Sequence, residues 1–357
     1  MEAVEFAIVG GGWRAEFFLG VGQALPQLFT VSGIVVRDAA RASLLRQKWG
    51  VRTYGTLDEL VARAHSTFVV VSVAEPSAPG VIRELVARGM PVLAETPPAP
   101  DLEGLNELYH LTMRGARIQV AEQYAFQPLH AARIAVAQSG KLGVVSQAQV
   151  SVTQDYHAMS LIRKLLGIQF EDAVIRAQHF LSPVIAGPTR QGPPAEEKTV
   201  AVPQVIAQLD FGNKLAVYDY TNDQHRSWIR SSRVLVRGER GEIHDTRVRY
   251  LRDFATPITT DLLRQDAGQE GNLEGYFHTG ILLGDEWVYR NPFAPARLND
   301  DEIAVATCLT GMAAYVAGGP PVYDLAEAAQ DHYLGLMVHR AVETGEPVRT
   351  TRQTWAR

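Results

Sequence analysis

The first third of the chain carries its apolar residues in short unbroken runs: FAIVG at 6–10, FTVSGIVV at 29–36, FVVVSV at 68–73 and PVLA at 91–94. Runs of this length predict strands buried on both faces. Helical stretches separate them at 38–49, 56–64 and 78–88, and another helix follows Pro98. Asp38 stands where an N-cap belongs, Thr56 and Glu59 have capping-box spacing, and Gly50 and Gly89 close two of the helices. Strands alternating with helices predict a parallel, doubly wound sheet.

Past residue 122 the pattern changes to alternation. Residues 144–153, 205–211, 215–220 and 228–237 read as strands with one face inward, with Gly212-Asn213 and residues 238–241 as hairpin turns. Helices are expected at 128–139, 157–166, 301–317 and 324–344. Residues 254–300 read as loop-rich, and 187–197 (GPTRQGPPAEE) as a loop or lid. A length of 357 residues exceeds what one hydrophobic core usually supports, so two domains are expected, at 1–122 and 123–357.

One turn draws the eye. Residues 4–18 (VEFAIVGGGWRAEFF) pass from a buried strand through three glycines directly into a helix, with GxGxxA spacing at Gly10, Gly12 and Ala15. Gly10 permits the sharp turn, Gly12 lets backbone approach a diphosphate, and Ala15 lets helix and strand pack closely. A diphosphate would sit over the helix N-terminus, beside Trp13 and with Arg14 as an added cation. The second strand ends in Val36-Arg37, where an NAD site usually has Asp or Glu for the ribose 2′-hydroxyl. A guanidinium suits a 2′-phosphate, so Arg37 favours NADP over NAD. The alternative leaves Arg37 in solvent and has Asp38 reach the ribose. Strand ends should line the cofactor crevice at Ala74 to Pro76 and at Glu95 to Pro98.

Composition narrows the partners. A net charge of −5 and a pI near 6.1 give no general attraction to nucleic acid or anionic membrane. The single cysteine, Cys308, lies in an apolar helical stretch and reads as a core residue. The start does not resemble a signal peptide, and no apolar stretch approaches the roughly 20 residues that span a bilayer, so a soluble cytoplasmic protein is expected. The ten histidines are scattered without HxxxH spacing, and no metal site is expected.

The GxGxxA turn, the apolar strand after TLDEL, and GMPVLAETP before a helix together resemble the Gfo/Idh/MocA family of nicotinamide-dependent oxidoreductases. Gln127-Pro128 before a helix, SGKLGVVSQAQVSV, RGERGEI and LAEAAQDHYLGLMVHRAVETGEPV agree in order. The resemblance covers nearly the whole chain. It implies an α/β Rossmann domain followed by an α+β domain with an open, mainly antiparallel sheet, chemistry on sugars, polyols or related carbonyl compounds, and a homo-oligomer formed through that sheet. Four departures stand against it. The family's Glu-Lys-Pro is Glu95-Thr96-Pro97 here, so the usual ammonium is missing. VAEPSAPG lacks the histidine that often follows its proline, and Ala125 replaces a frequent arginine. Where Asp and His commonly stand four apart, His157 fits but position 153 is Thr153.

With the lysine gone, another group must handle the alcohol proton. His157 is the first candidate, since imidazole exchanges protons near cellular pH. Asp155 could orient it or simply cap a helix, while Tyr124 and Tyr156 are alternative acids and Thr96 could orient a substrate oxygen. For the cofactor, Glu95 and Pro97 follow the family pattern at the nicotinamide ribose, and Glu122 and Gln123 end the crossing strand. The leading expectation is an NAD(P)-dependent dehydrogenase or reductase acting on CH–OH groups. Two others stay open: a non-catalytic nucleotide-binding sensor or scaffold, and an NAD-dependent, redox-neutral glycoside hydrolase.

Overall fold

The computed structural model describes residues 3–268, 271 and 275–356. The chain begins β1 (Val4–Val9), α1 (Trp13–Ala24), β2 (Phe29–Val35), α2 (Ala39–Trp49), β3 (Thr53–Tyr54), α3 (Leu57–Arg63) and β4 (Phe68–Val71). It continues α4 (Ala78–Ala87), β5 (Val92–Ala94), α5 (Leu102–Met113) and β6 (Ile118–Val120). These six strands form one sheet in the order β3-β2-β1-β4-β5-β6, all in parallel register. The chain runs outward from β1 to β3 and then crosses back to β4, so the order reverses beside β1. Ligands of such sheets bind at that reversal, outside the carboxyl ends of the strands.

Burial explains why the strands sit where they do. Ala7, Ile8, Val69, Val70, Val92 and Leu93 are fully buried, and Phe6 stacks on Phe68 at 5.7 Å while meeting Phe29 edge-on at 6.3 Å. Each of the valine, leucine, isoleucine and phenylalanine side chains contributes about 1.5–3 kcal/mol by leaving water. Helix ends follow the predicted chemistry. Asp38 accepts from Arg41 N, Thr56 accepts from Glu59 N, and Gly50 ends α2 with a φ of 65°.

The second half contains α6 (Pro128–Gln138), β7 (Val145–Ser151), α7 (Asp155–Leu166), β8 (Val174–Ile185), β9 (Thr199–Asp210) and β10 (Leu215–Tyr220). There follow β11 (Arg233–Gly238), β12 (Gly241–His244), β13 (Arg247–Leu251), β14 (Pro257–Ala267), β15 (Phe277–Leu283) and β16 (Glu286–Arg290). The chain closes with α8 (Asp300–Val316), α9 (Leu325–Thr344) and β17 (Val348–Arg349). One sheet takes the order β16-β15-β14-β13-β12-β11-β7-β10-β9-β8-β17. Only β7 and β10 among the registered pairs run parallel.

Packing divides the chain into two units. The first comprises Met1–Pro128, Gln265–Gly280 and Arg290–Ala329, and the second Leu129–Arg264, Ile281–Tyr289 and Gln330–Arg357. Unit 1 therefore takes in chain well beyond residue 122. Its added helix α8 packs on α1, with Ile303, Val305, Cys308 and Leu309 fully buried. The β6 edge is covered in the same way: Val120 N donates to Tyr323 O, and Gln119 Oε1 accepts from Val322 N and Tyr323 N. In unit 2, α7 lies on β7 and is held to α9 by a buried Arg163–Asp331 ion pair at 2.6 Å.

Three expectations differ from what is found. The strand anticipated over 228–237 begins only at Arg233, the loop-rich 254–300 contains β14, β15 and β16, and β8 was not anticipated. Seven of the twelve side chains of β8 are exposed, and only one of the eleven of β14 is buried. These strands are held by cross-strand hydrogen bonds and lack the buried face that makes a strand legible.

Candidate functional site: a nucleotide cradle in unit 1

The turn between β1 and α1 is closed beneath and open above. Gly10 has a φ of +117°, and a Cβ there would lie 2.0 Å from Ser72 O at the end of β4, so only glycine fits. Gly11 is pressed between Val36 and Arg41. Gly12, the N-cap of α1, has extended backbone, no atom within 4 Å of an added Cβ, and no side-chain cap. The amide donors of the first turn of α1 are thus left for an anion. Trp13 follows, 53% exposed and edge-on to Phe17 at 5.5 Å.

Arg14 is placed differently from its neighbours. Its Nε donates to Glu95 Oε1 at 2.8 Å, both side chains are largely buried, and its guanidinium lies 5.0 Å from the Phe17 ring and 5.8 Å from that of Phe18. Burial works against its charge, but Glu95, with Asp301 further off, outweighs it and holds the guanidinium above its ordinary range. Nη2 of Arg14 is buried without a hydrogen-bond partner among the described residues.

At the end of β2, Val36 is buried, Arg37 is exposed, and Asp38 caps α2. Arg41, which sequence reasoning passed over, bridges α2 to the glycine turn: Nε donates to Gly11 O and Nη2 to Glu16 Oε1, each at 2.6 Å. The remaining strand ends gather at the same edge of the sheet. Ala74 is exposed after β4, Thr96 half-buried and Pro97 buried after β5. Glu122 is buried after β6, and its Oε1 accepts from Tyr124 N at 3.0 Å. Gln123 is also buried, with Oε1 lacking a partner among the described residues. Beneath them Cys308 is fully buried; desolvation, then Glu122 and Glu95, push its thiol far above the ordinary range, so it stays protonated.

The other predicted residues fall in unit 2, at the start of α7. Asp155 has a φ of +38°, uncommon outside glycine, and its N–H donates to Tyr218 Oη at 3.2 Å. Its Oδ1 meets His339 Nε2 at 3.1 Å, and this contact raises the His339 imidazole above its ordinary value. α9 comes close because Gly335 offers no side chain, and a Cβ there would lie 3.4 Å from that of Asp155. His157 is 5% exposed, its ring 4.4 Å from Tyr156, which meets His332 at 5.7 Å. His332 and His339, both on α9 and two helical turns apart, were missed, and no local spacing marks them. Among the described residues no group of three or more His, Cys, Asp or Glu is arranged to hold a metal ion, and no helix is long and apolar enough to cross a membrane.

A parallel sheet with a glycine turn at its point of reversal, closed below and open above, defines unit 1 as a dinucleotide-binding unit of the Rossmann type. Residues 4–122 match the GFO_IDH_MocA family model, described as "Oxidoreductase family, NAD-binding Rossmann fold". The fold extends over the whole length. An oxidoreductase from Agrobacterium radiobacter, solved with NAD+, L-tartaric acid and magnesium, is 16% identical over 98% of each chain with a TM-score of 0.70. An NAD-binding oxidoreductase from Klebsiella pneumoniae is 15% identical, covering 98% of this chain and 100% of its own, also at 0.70. The WlbA dehydrogenase of Bordetella pertussis, in complex with NADH and UDP-GlcNAcA, is 15% identical over 99% of each chain at 0.66. No curated protein matches the chain.

Proposed function

We propose that this protein is a nicotinamide-dependent oxidoreductase that moves hydride between the cofactor and a hydroxyl or carbonyl carbon of a sugar, polyol or related compound. The observation that carries the reading is the turn at Gly10 and Gly12, closed from below by Ser72 O and with no described residue within 4 Å of a Cβ placed on Gly12. The donors present suit a dinucleotide. Uncapped amides of α1 would hold the diphosphate, and Glu95, Glu122 and Gln123 offer carboxylate and amide groups to the ribose and carboxamide of the nicotinamide end. Bound there, the nicotinamide would supply the hydride chemistry.

In this reading the cofactor is NADP in preference to NAD. Val36 cannot accept from a 2′-hydroxyl, Asp38 Oδ1 is already taken by Arg41 N, and Arg37 is the exposed cation nearest in sequence. His157 exchanges the substrate's hydroxyl proton, Thr96 orients the substrate oxygen, and Asp155 and Tyr124 are the alternates. The absent lysine makes this an acid–base site unlike the family's usual one.

The test is a panel of sugars, polyols and aldehydes followed at the nicotinamide absorbance with NADPH and NADH in parallel. Turnover with a polyol or sugar, lost in His157→Ala while nucleotide binding persists, is the expected result. Full turnover in His157→Ala contradicts the assignment of the proton to that residue. Activity that appears only in Thr96→Lys favours a nucleotide-binding protein without turnover.

A further inference from the structure

Arg14 occupies a position that physical rules disfavour twice. It is the second residue of α1, where the helix dipole repels a cation, and it is largely withdrawn from water. An apolar residue there would pack on Phe17 and Phe18 without either penalty. A local rule broken in this way calls for a local gain. The gain is Glu95, the first residue after β5, at the carboxyl end of the sheet where ligands collect.

The pairing is incomplete in a telling way. The guanidinium gives one of its donors to Glu95, yet Nη2 stays buried and unmatched among the described residues. Glu95 uses Oε1 for Arg14, leaving Oε2 on a side chain 13% exposed. The ion pair thus leaves one buried donor unmatched and one carboxylate oxygen unused by Arg14. The helix N-terminus has its own donors for a diphosphate, and the Arg14 side chain turns instead toward the end of β5.

Resting on the nucleotide reading above, we propose that Arg14 is a positioning residue: it holds the Glu95 carboxylate aimed at the nicotinamide end of the dinucleotide, and takes no part in gripping the diphosphate. Removing it leaves Glu95 without the partner that fixes its direction, and the nicotinamide end loses its aimed acceptor. The adenosine and diphosphate end keeps every contact it had.

Two nucleotide fragments separate these roles. Calorimetric titration compares NADH with ADP-ribose, and NADPH with 2′-phospho-ADP-ribose, on the wild-type protein and on Arg14→Met, Arg14→Lys and Glu95→Gln. Arg14→Met should weaken the dinucleotide at least tenfold and leave the matching ADP-ribose within twofold. Glu95→Gln should show the same discrimination, Arg14→Lys should recover part of the loss, and the double variant Arg14→Met with Glu95→Gln should lose no more than either single one. Equal weakening of dinucleotide and fragment would assign Arg14 to the diphosphate and overturn the inference alone, as would no weakening at all. A wild-type protein that binds none of the four ligands overturns the nucleotide reading and this inference with it. Thermal melts guard against misfolding: Arg14→Met alone should melt lower than the double variant, because only the single variant buries Glu95 without its partner.

Discussion

Replacing each of two glycines by alanine should separate fold from function at the β1–α1 turn. At Gly10 the new methyl would lie 2.0 Å from a backbone oxygen of Ser72, with φ at +117°. The unfavourable dihedral costs about 1–3 kcal/mol and the displaced strand end a further 1–3, so Gly10→Ala should lose about 2–6 kcal/mol of stability. Gly12 is the opposite case: its φ of −71° and ψ of 174° suit any residue, and nothing lies within 4 Å. Gly12→Ala should shift stability by less than about 1 kcal/mol, since the poorer N-cap is offset by a stiffer unfolded chain. Its methyl would nonetheless stand where a diphosphate must come. Displacing one charge-assisted hydrogen bond, at about 1.5–3 kcal/mol, weakens nucleotide binding about 10- to 150-fold. Denaturant unfolding and calorimetric titration of both variants provide the assay. A Gly12→Ala protein that binds nucleotide as well as the wild type would refute the reasoning.

Three further outcomes follow from the packing and the titratable groups. Asp331→Ala strands the Arg163 charge in a site where the two side chains are 1% and 2% exposed, and should cost about 3–5 kcal/mol in urea unfolding, whereas the paired change Arg163→Met with Asp331→Leu should recover most of it. His339, raised by its contact with Asp155, stabilises the fold below the unfolded value of 6.5 and loses that contribution as pH rises through the folded value; the melting difference between wild type and His339→Ala should therefore be larger near about pH 6 than near about pH 9. Glu16 is held down to about 2, because hydrogen bonds from Lys48, Arg41 and Trp49 outweigh partial burial, so Glu16→Gln should destabilise most above the unfolded value of 4.5, with the difference shrinking as pH falls toward about 2 and gone below it.

The strands of unit 1 were legible because they are buried on both faces, so their apolar runs carry the signal directly. The caps at Asp38 and Thr56 were legible because capping depends on residues three apart. β8 and β14 were not, since their hold on the sheet lies in partners that no local pattern names. Long-range pairing was the other blind spot. Arg14 and Glu95 were each singled out, but they stand 81 residues apart and nothing in either neighbourhood announces that the cation turns to the carboxylate. Asp155 was weighed as a partner for His157, and its carboxylate meets His339 on the last helix. Helix α8 was predicted as a helix, yet its return to α1 depends on the shape of a surface formed early in the chain.

The central claim is that the cradle after β1 holds a nicotinamide dinucleotide. Calorimetric titration of the purified protein with NADPH and NADH tests it most directly: saturable one-to-one binding of at least one of them, displaced by ADP-ribose or its 2′-phosphate, is the predicted result. No heat of binding for any of these ligands on a protein shown to be folded would contradict the account.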